Sequence, residues 1–383
     1  MRAPFFAFGM VLLLAGIAPA ADSLNVRLVG YEDTPSPDGY SVALSGDYAY
    51  IADGVLRVIS VADPAHPSEV AHVDSIDYAW AVAVAGDYAC VAADIGLKVV
   101  SVADPAHPVV VGQCDAPEIA VGVAVGGGYA HLADASGGLR VISLADAAHP
   151  VEVGHCDTKH LAYGVALAGT HVLVADCDSG LRIISVADPA HPVEVGHCDA
   201  PALAYGVALN GEYAFVADYS YSMRVILVAD PTQPVEVGQC HVPGGAYGVA
   251  LNGGYAYVSA DAGGLRVVSI ADPAHPAEVG YYEQPFAHGV CVLGDYAYVG
   301  MDAVGGLWVF QLYGQGVQEV TNDDWPVVNA GPTVLSEASV QSIASKVVFD
   351  AMGRRVVKPK PGVCFVRDAG RTRNVVVYRS LNL

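Results

Sequence analysis

Leu181-Arg-Ile-Ile-Ser-Val-Ala-Asp-Pro-Ala-His-Pro-Val-Glu-Val-Gly196 is an apolar run, a turn and a second, shorter apolar run. The same sentence recurs around Asp63, Asp104, Asp146, Asp230 and Asp272, at intervals of 41, 42, 42, 42 and 42 residues once Asp188 is included. A fixed period near 40 residues is the sequence signature of a repeat architecture. Asp-Pro suits the turn because Pro fixes φ, while the Asp carboxylate accepts hydrogen bonds from the backbone that follows.

A whole unit is clearest from Ala162 to Asp199. Tyr163–Leu167 reads as one short strand, Val172–Asp176 as a second, Leu181–Ala187 as a third and Val193–Cys198 as a fourth. β-Branched and aromatic residues fill the strands, and Gly or Pro punctuates each gap. Four antiparallel strands per period of about 42 residues make a propeller blade. The turn after the first strand is marked at Gly46, Gly86, Gly127, Gly169, Gly211, Gly253 and Gly294, which predicts seven blades. Only six Asp-Pro-type turns follow, because Leu312 runs into Tyr-Gly-Gln-Gly. Val29-Gly-Tyr-Glu-Asp-Thr-Pro35 reads like Val279-Gly-Tyr-Tyr-Glu-Gln-Pro285, so the N-terminal strand is expected to complete the last blade and close the ring. In the first strand one parity is small (Gly164, Ala166) and the other large (Tyr163, Val165, Leu167), as crowding at a central axis requires.

At 383 residues, 53% apolar and 15% charged, the chain can bury a large core. Its net charge of −22 is unevenly placed: Lys346 to Arg379 holds nine basic and two acidic residues, +7, leaving −29 on the rest. A body this acidic repels nucleic acid and anionic membrane surfaces. Met1 to Ala20 reads as a secretory signal, with Arg2, an apolar stretch from Phe5 to Ile17 too short to span a bilayer, and a small-x-small site at Ala18-Pro-Ala20. No Cys follows the cut, so lipid anchoring is not indicated, and no other run reaches membrane-spanning length. Of eight cysteines, Cys114, Cys156, Cys198 and Cys240 lie one period apart and should be too distant for disulfides, reading instead as small buried thiols.

Leu-Arg-Val-Ile-Ser-Val-Ala-Asp-Pro, with Tyr-Ala-Tyr-Val-Ala-Asp upstream, resembles the LVIVD-repeat family of bacterial exported β-propellers, over roughly residues 24 to 312. The resemblance implies the fold and a surface or envelope setting, and carries no catalytic residue set. Thr321 to Pro332 has no period, and 314–345 reads as a linker. Residues 346–383 then resemble the C-terminal sorting domain of type IX secretion substrates. The matching residues are Gly353 and Arg354 after the first strand, Pro361-Gly362-Val363, and Gly370-Arg371-Thr372, with Cys364 where tyrosine is usual. That resemblance implies the secretion machinery as a partner and a small antiparallel β module.

Three sets of residues invite a functional reading. Asp53, Asp94, Asp134, Asp176, Asp218, Asp261 and Asp302 end the second strand in all seven units, three of them shifted by one residue. As a ring they could bind a cation or basic partner; each could equally accept backbone hydrogen bonds in its own turn. His66, His107, His149, His191 and His275 recur in the Ala-His-Pro turns, where blade symmetry should hold them apart. His155-Cys156-Asp157 and His197-Cys198-Asp199 suggest metal ligands until strand alternation turns the Cys away from its neighbours. Finally, Tyr40, Trp80, Val121, Tyr163, Tyr205, Tyr247 and His288 open the inner strands, so six rings should surround one mouth of the channel. They could stack a sugar or a peptide side chain, or simply pack beside the glycines.

No Ser-His-Asp set, Cys-His pair or phosphate loop emerges. The expected protein is an all-β, seven-bladed propeller (24–313) with a small C-terminal β module. It should be monomeric, without cofactor or metal, and exported to the outer-membrane surface or beyond as a non-enzymatic scaffold for a protein or glycan ligand. A propeller hydrolase or lyase acting on polysaccharide at the channel mouth is the alternative. It would need a unique polar cluster, and the departures from the repeat are Tyr219-Ser-Tyr-Ser222 and Lys159-His160.

Overall fold

The structure is a computed structural model that describes residues 23–36, 39–199, 203–220, 222–284, 286–302 and 305–312, with strand segments at 347–349, 355–356, 362–368 and 371–377. Seven antiparallel sheets carry the repeats; five keep chain order from inner to outer strand, and the other two each take their outermost strand from the N-terminus. Blade one spans Ser41–Val73, blade two Ala79–Asp115, blade three Gly122–Cys156 and blade four Gly164–Cys198. Blade five spans Ala204–His241, blade six Ala246–Tyr282, and blade seven Ala287–Leu312 with one strand from the N-terminus. Among the described residues no helix is long and apolar enough to cross a membrane.

The core is not central. It is divided into seven wedges, one between each pair of neighbouring blades. Tyr50 and Val58 of blade one meet Val82 and Val91 of blade two, and Ile51 and Ile59 of blade one meet Tyr298 and Val309 of blade seven. Every blade is therefore buried on both faces, and the strands read as near-continuous apolar runs.

Two close approaches fix the blades against each other. At the axis, an added Cβ on Gly206 would lie 2.6 Å from the Tyr247 carbonyl oxygen, and one on Gly248 would lie 2.8 Å from that of His288. The small parity of the inner strand is thus a backbone-to-backbone contact with the next blade. At the outer strand, the Gly of Val-Glu-Val-Gly sits under the next blade's Asp-Pro turn. Gly154 meets Pro189 and Ala190, Gly196 meets Pro231, and Gly238 meets Pro273. In all seven blades the register between third and fourth strands shifts just ahead of this position. Such a bulge bends the outer strand and strengthens its twist.

The ring closes through the N-terminus, with one difference from expectation. β1 (Ser23–Leu24) does not join blade seven; it adds a fifth strand to the outer edge of blade six. β2 (Val26–Glu32) is the fourth strand of blade seven, antiparallel to Leu307–Leu312 in the register Val26↔Leu312 to Glu32↔Leu307. Asn25 makes the crossing in the left-handed region (φ 57°), a conformation Asn tolerates better than most residues, and its Nδ2 donates to the Val279 carbonyl at 2.6 Å. The reason for the extra pairing is local: blade seven has no Asp-Pro turn to cover Gly280, and the Leu24 carbonyl with Val26 occupies that place.

In the tail, Val347–Phe349, Arg355–Val356, Gly362–Asp368 and Arg371–Val377 pair in one antiparallel sheet. Of the sorting-type pattern, Gly362, Val363, Arg371 and Thr372 fall on these segments. Gly353, Arg354, Pro361, Gly370, the signal segment and the linker lie outside the described residues.

Gly30 links β2 to the first turn of blade one, where an added Cβ would lie 2.5 Å from the Pro64 carbonyl oxygen and 2.7 Å from that of Ala65. Gly30→Ala is expected to destabilise the propeller by about 1–3 kcal/mol, the usual cost of overpacking. Thermal unfolding beside Gly254→Ala, a turn glycine with open space around it and no positive φ, checks this; equal losses would mean that closure does not depend on the contact.

Candidate functional site

The seven aspartates form two sets, and strand parity separates them. In blade four Val174 pairs with Arg182, so Asp176, two residues on, points to the same side as the arginine. Asp53, Asp134 and Asp218 stand in the same relation to Arg57, Arg140 and Arg224. All four are at most 1% exposed. Asp53, Asp134 and Asp218 accept from the arginine Nε at 2.5, 3.0 and 2.6 Å, and Asp176 faces Arg182 Nε at 3.5 Å. Two of them also take donors from the entering loops, Asp176 from Thr158 Oγ1 at 2.6 Å and the His160 amide at 3.0 Å, and Asp134 from the Glu118 amide at 3.2 Å. Each arginine also reaches a glutamate of the outer strand, such as Arg224 to Glu236 at 2.9 Å. These aspartates fasten the second strand to the third and to the loop entering the blade. The arginines, which the sequence reading did not single out, are their main partners.

Asp94, Asp261 and Asp302 follow a second strand one residue longer. Their reference valines, Val91, Val258 and Val299, lie three residues earlier instead of two, so the carboxylates leave the arginine side. Lys98 instead holds Asp77 at 3.0 Å, Arg266 reaches Glu283 at 3.1 Å and the Gly263 carbonyl at 2.9 Å, and Trp308 occupies the arginine position in blade seven. The displaced carboxylates meet the aromatic residues at the channel mouth. Trp80 Nε1 donates to Asp94 at 2.7 Å, Tyr219 Oη donates to Asp261 at 3.1 Å, and His288 Nε2 lies 3.7 Å from Asp302.

All six rings come together as a continuous arc. Centroid separations run Trp80–Tyr40 4.7 Å, Tyr40–His288 6.0 Å, His288–Tyr247 4.1 Å, Tyr247–Tyr205 5.0 Å and Tyr205–Tyr163 4.5 Å. Val121 fills the one position between its ends. Trp80, Tyr205, Tyr247 and His288 sit where the pairing of first and second strands slips, and such slips re-aim side chains. Tyr78 and Tyr219 add a second tier, at 5.0 Å from Trp80 and 5.2 Å from Tyr247. Tyr78 and Phe286, which lead into the inner strands of blades two and seven, hold positive φ of 56° and 75°. Burial raises the Tyr163, Tyr205 and Tyr247 hydroxyls above the ordinary tyrosine range, and Tyr219, followed by Asp261, pushes Tyr247 further. All remain neutral donors at physiological pH.

Antiparallel order puts the Asp-Pro turns on the face opposite this mouth. His66, His107, His149, His191 and His275 each bond the aspartate of their own turn at 2.9–3.0 Å. That bond, and the amide two residues on, hold Asp63, Asp104, Asp146, Asp188 and Asp272 below the usual carboxylate range. These histidines therefore serve their turns. On the same face a cavity of about 330 Å³ lies between blades four and five, lined by Leu167, Leu173, Ile183 and Leu209 among others, with His171 its one ionisable side chain.

One donor cluster went unread in the sequence. His160, Cys177 and Asp178 bring ligand atoms within 4.8 Å of one another. Zinc would need the three drawn to about 2.0–2.3 Å of a common point. Burial also raises the Cys177 thiol above its ordinary range, against the thiolate that a metal requires. The signal was available, since Lys159-His160 and Asp176-Cys-Asp178 both depart from the repeat.

The two aspartate sets should respond differently to truncation. Asp218→Ala strands part of the buried Arg224 charge and is expected to cost about 3 kcal/mol, whereas Asp94→Ala should cost about 1 kcal/mol or less. Thermal unfolding of both variants checks this, and equal losses would refute the division.

Solved structures agree on the fold. A chain titled mitotic checkpoint complex matches over 80% of this chain and 99% of its own at 12% identity, TM-score 0.63. The Cps50 (Swd1) β-propeller domain of Myceliophteria thermophila matches over 75% and 99% at 12% identity, TM-score 0.61. The computationally designed Ika8 protein matches over 91% and 99% at 10% identity, TM-score 0.55. No curated protein matches the sequence. The LVIVD repeat model matches at 38–75, 77–116, 119–158, 161–200, 203–242, 243–284 and 286–309, one copy for each blade. The chain therefore belongs to the LVIVD-repeat family of β-propellers.

Proposed function

We propose that this propeller is a non-enzymatic binding scaffold that captures its ligand at the ringed mouth of the channel, outside the cell. The observation that carries the reading is the departure from blade symmetry. A purely structural propeller can use the same aspartate–arginine pair in every blade. Here three blades give it up and send their carboxylates to the aromatic arc. Polar groups placed beside partly accessible aromatic rings are the ordinary composition of a ligand site.

Delivery rests on the two ends of the chain. Met1 to Ala20 would direct export, and the module from Lys346, whose charge is opposite to the body's, would address the protein to a type IX-type secretion machinery across the outer membrane. Among the described residues, blade seven is completed by β2 and no tail strand pairs with it, which leaves the tail available for that role.

Removing Lys346 to Leu383 is expected to leave a folded propeller in the periplasm, while the full chain crosses the outer membrane and loses the tail in transit. Intact-mass measurement of the extracellular protein checks this; recovery with Arg379 still attached would count against the sorting role. Turnover of a chromogenic glycoside, abolished by Asp94→Asn, would replace the scaffold reading with the hydrolase.

A further inference from the structure

We infer that the mouth takes an alkylammonium ion, and that the ligand class is an organic cation presented to the sector formed by blades six, seven, one and two. The inference rests on the reading of the mouth as a binding site and specifies what binds there.

The first ground is the wall. Tyr247, His288, Tyr40 and Trp80 form an unbroken series with centroids 4.1, 6.0 and 4.7 Å apart. All four are partly accessible. A ring face carries the negative part of the aromatic quadrupole, and a cation within about 6 Å of the centroid is attracted to it. Several rings around one opening can surround such an ion on more than one side.

The second ground is charge, and it falls in the same sector. The displaced carboxylates belong to blades two, six and seven, the blades that supply Trp80, Tyr247 and His288. Asp94 is exposed, and Asp261 and Asp302 are half-buried. Lys98 and Arg266 are engaged elsewhere on their blades, with Asp77 and Glu283, and blade seven carries Trp308 in their place. The ring donors are held by these same acids, through Trp80 Nε1 to Asp94 and Tyr219 Oη to Asp261. A hydrogen-bonded donor that leans towards a carboxylate leaves its ring richer in electrons, which strengthens its face for a cation.

The third ground excludes other classes. A hard metal ion needs several oxygens converging at about 2.0–2.6 Å. The acids of this sector come from three blades, and among the described residues the one donor group within 4.8 Å of itself is His160, Cys177 and Asp178, in blade four and the loop that enters it. Anions are repelled. A neutral sugar could stack on the rings but would gain nothing from the three charges. Dispersed carboxylates behind an aromatic wall suit a diffuse, weakly hydrated positive charge.

The test uses the full mature chain and measures binding by calorimetry. Choline is compared with 3,3-dimethylbutan-1-ol, its neutral isostere with carbon in place of nitrogen, and with Nα-acetyl-lysine methylamide for the primary ammonium. Choline or the lysine compound is expected to bind at least about 10-fold more tightly than the neutral alcohol. The preferred ammonium tells whether a quaternary headgroup or a lysine side chain is the source. The triple variant Asp94→Asn, Asp261→Asn, Asp302→Asn should lose at least about 10-fold in affinity for the cation. Asp104→Asn, in a turn on the opposite face, should lose nothing. Because Asn keeps the hydrogen-bond acceptor, an unchanged melting temperature verifies folding, and Trp80→Phe is a second variant that removes the Asp94 contact with a ring retained. Binding of both ammonium compounds no tighter than that of the neutral alcohol, or a loss of binding in Asp104→Asn equal to that in the triple variant, would overturn the inference. A neutral oligosaccharide that binds and is lost in Tyr247→Ala, with no cation bound, would overturn the cation while leaving the mouth as the site. No ligand of any class affected by Trp80→Phe or Tyr247→Ala would overturn both.

Discussion

The contact on which the molecule depends is backbone against backbone at the axis. Five inner strands offer a glycine to the next blade's carbonyl, at Gly122, Gly164, Gly206, Gly248 and Gly289, as Gly206 does to Tyr247 and Gly248 to His288. These approaches bring neighbouring inner strands close enough that the large residues opening them must touch. The aromatic arc follows from this crowding: rings one blade apart lie 4.1 to 6.0 Å between centroids because their backbones allow no more. The packing and binding readings of those rings are therefore compatible. The rings pack on one another in tilted and stacked pairs and stay partly open towards the mouth.

Charge is arranged by a different device. One residue added to a strand reverses the side on which its last residue points. Four blades use the short form, with the carboxylate locked against a buried arginine. Three use the long form and release it to the mouth. A buried pair of this kind contributes specificity of register more than net stability, because desolvating both groups offsets much of their attraction. The repeat can therefore give it up in a few blades, provided the arginine or lysine left behind finds another acid. Lys98 and Arg266 do so with Asp77 and Glu283, and blade seven replaces the basic residue with Trp308.

Period and punctuation made the blades, their number and the N-terminal closure legible in the sequence, because each depends on local turn chemistry written seven times. The position of β1 was not legible: its pairing with blade six answers an uncovered Gly280 that becomes visible only once the ring is assembled. The ring residues at the mouth were found from their place before the inner strand. The division of the aspartates was visible as a one-residue shift, but its meaning depends on cross-strand register with Arg182 and its equivalents, which spacing along one strand does not state. Tyr78 was missed, and Tyr219 was read only as part of a departure from the repeat, for a related reason: both reach the mouth outside the repeated positions. His160 and Cys177 meet only because the loop into blade four folds back over the end of its second strand.

The most direct measurement is a crystal structure of the propeller soaked with tetramethylarsonium, which has the shape and charge of tetramethylammonium and an arsenic atom with an anomalous signal. The account predicts a principal arsenic peak at the mouth, within about 6 Å of the ring centroids of Trp80, Tyr40, His288 or Tyr247. That peak should weaken or vanish when Asp94, Asp261 and Asp302 are changed to Asn. A principal peak on the outer surface or beside the Asp-Pro turns, or a mouth peak unchanged in the triple variant, would contradict it.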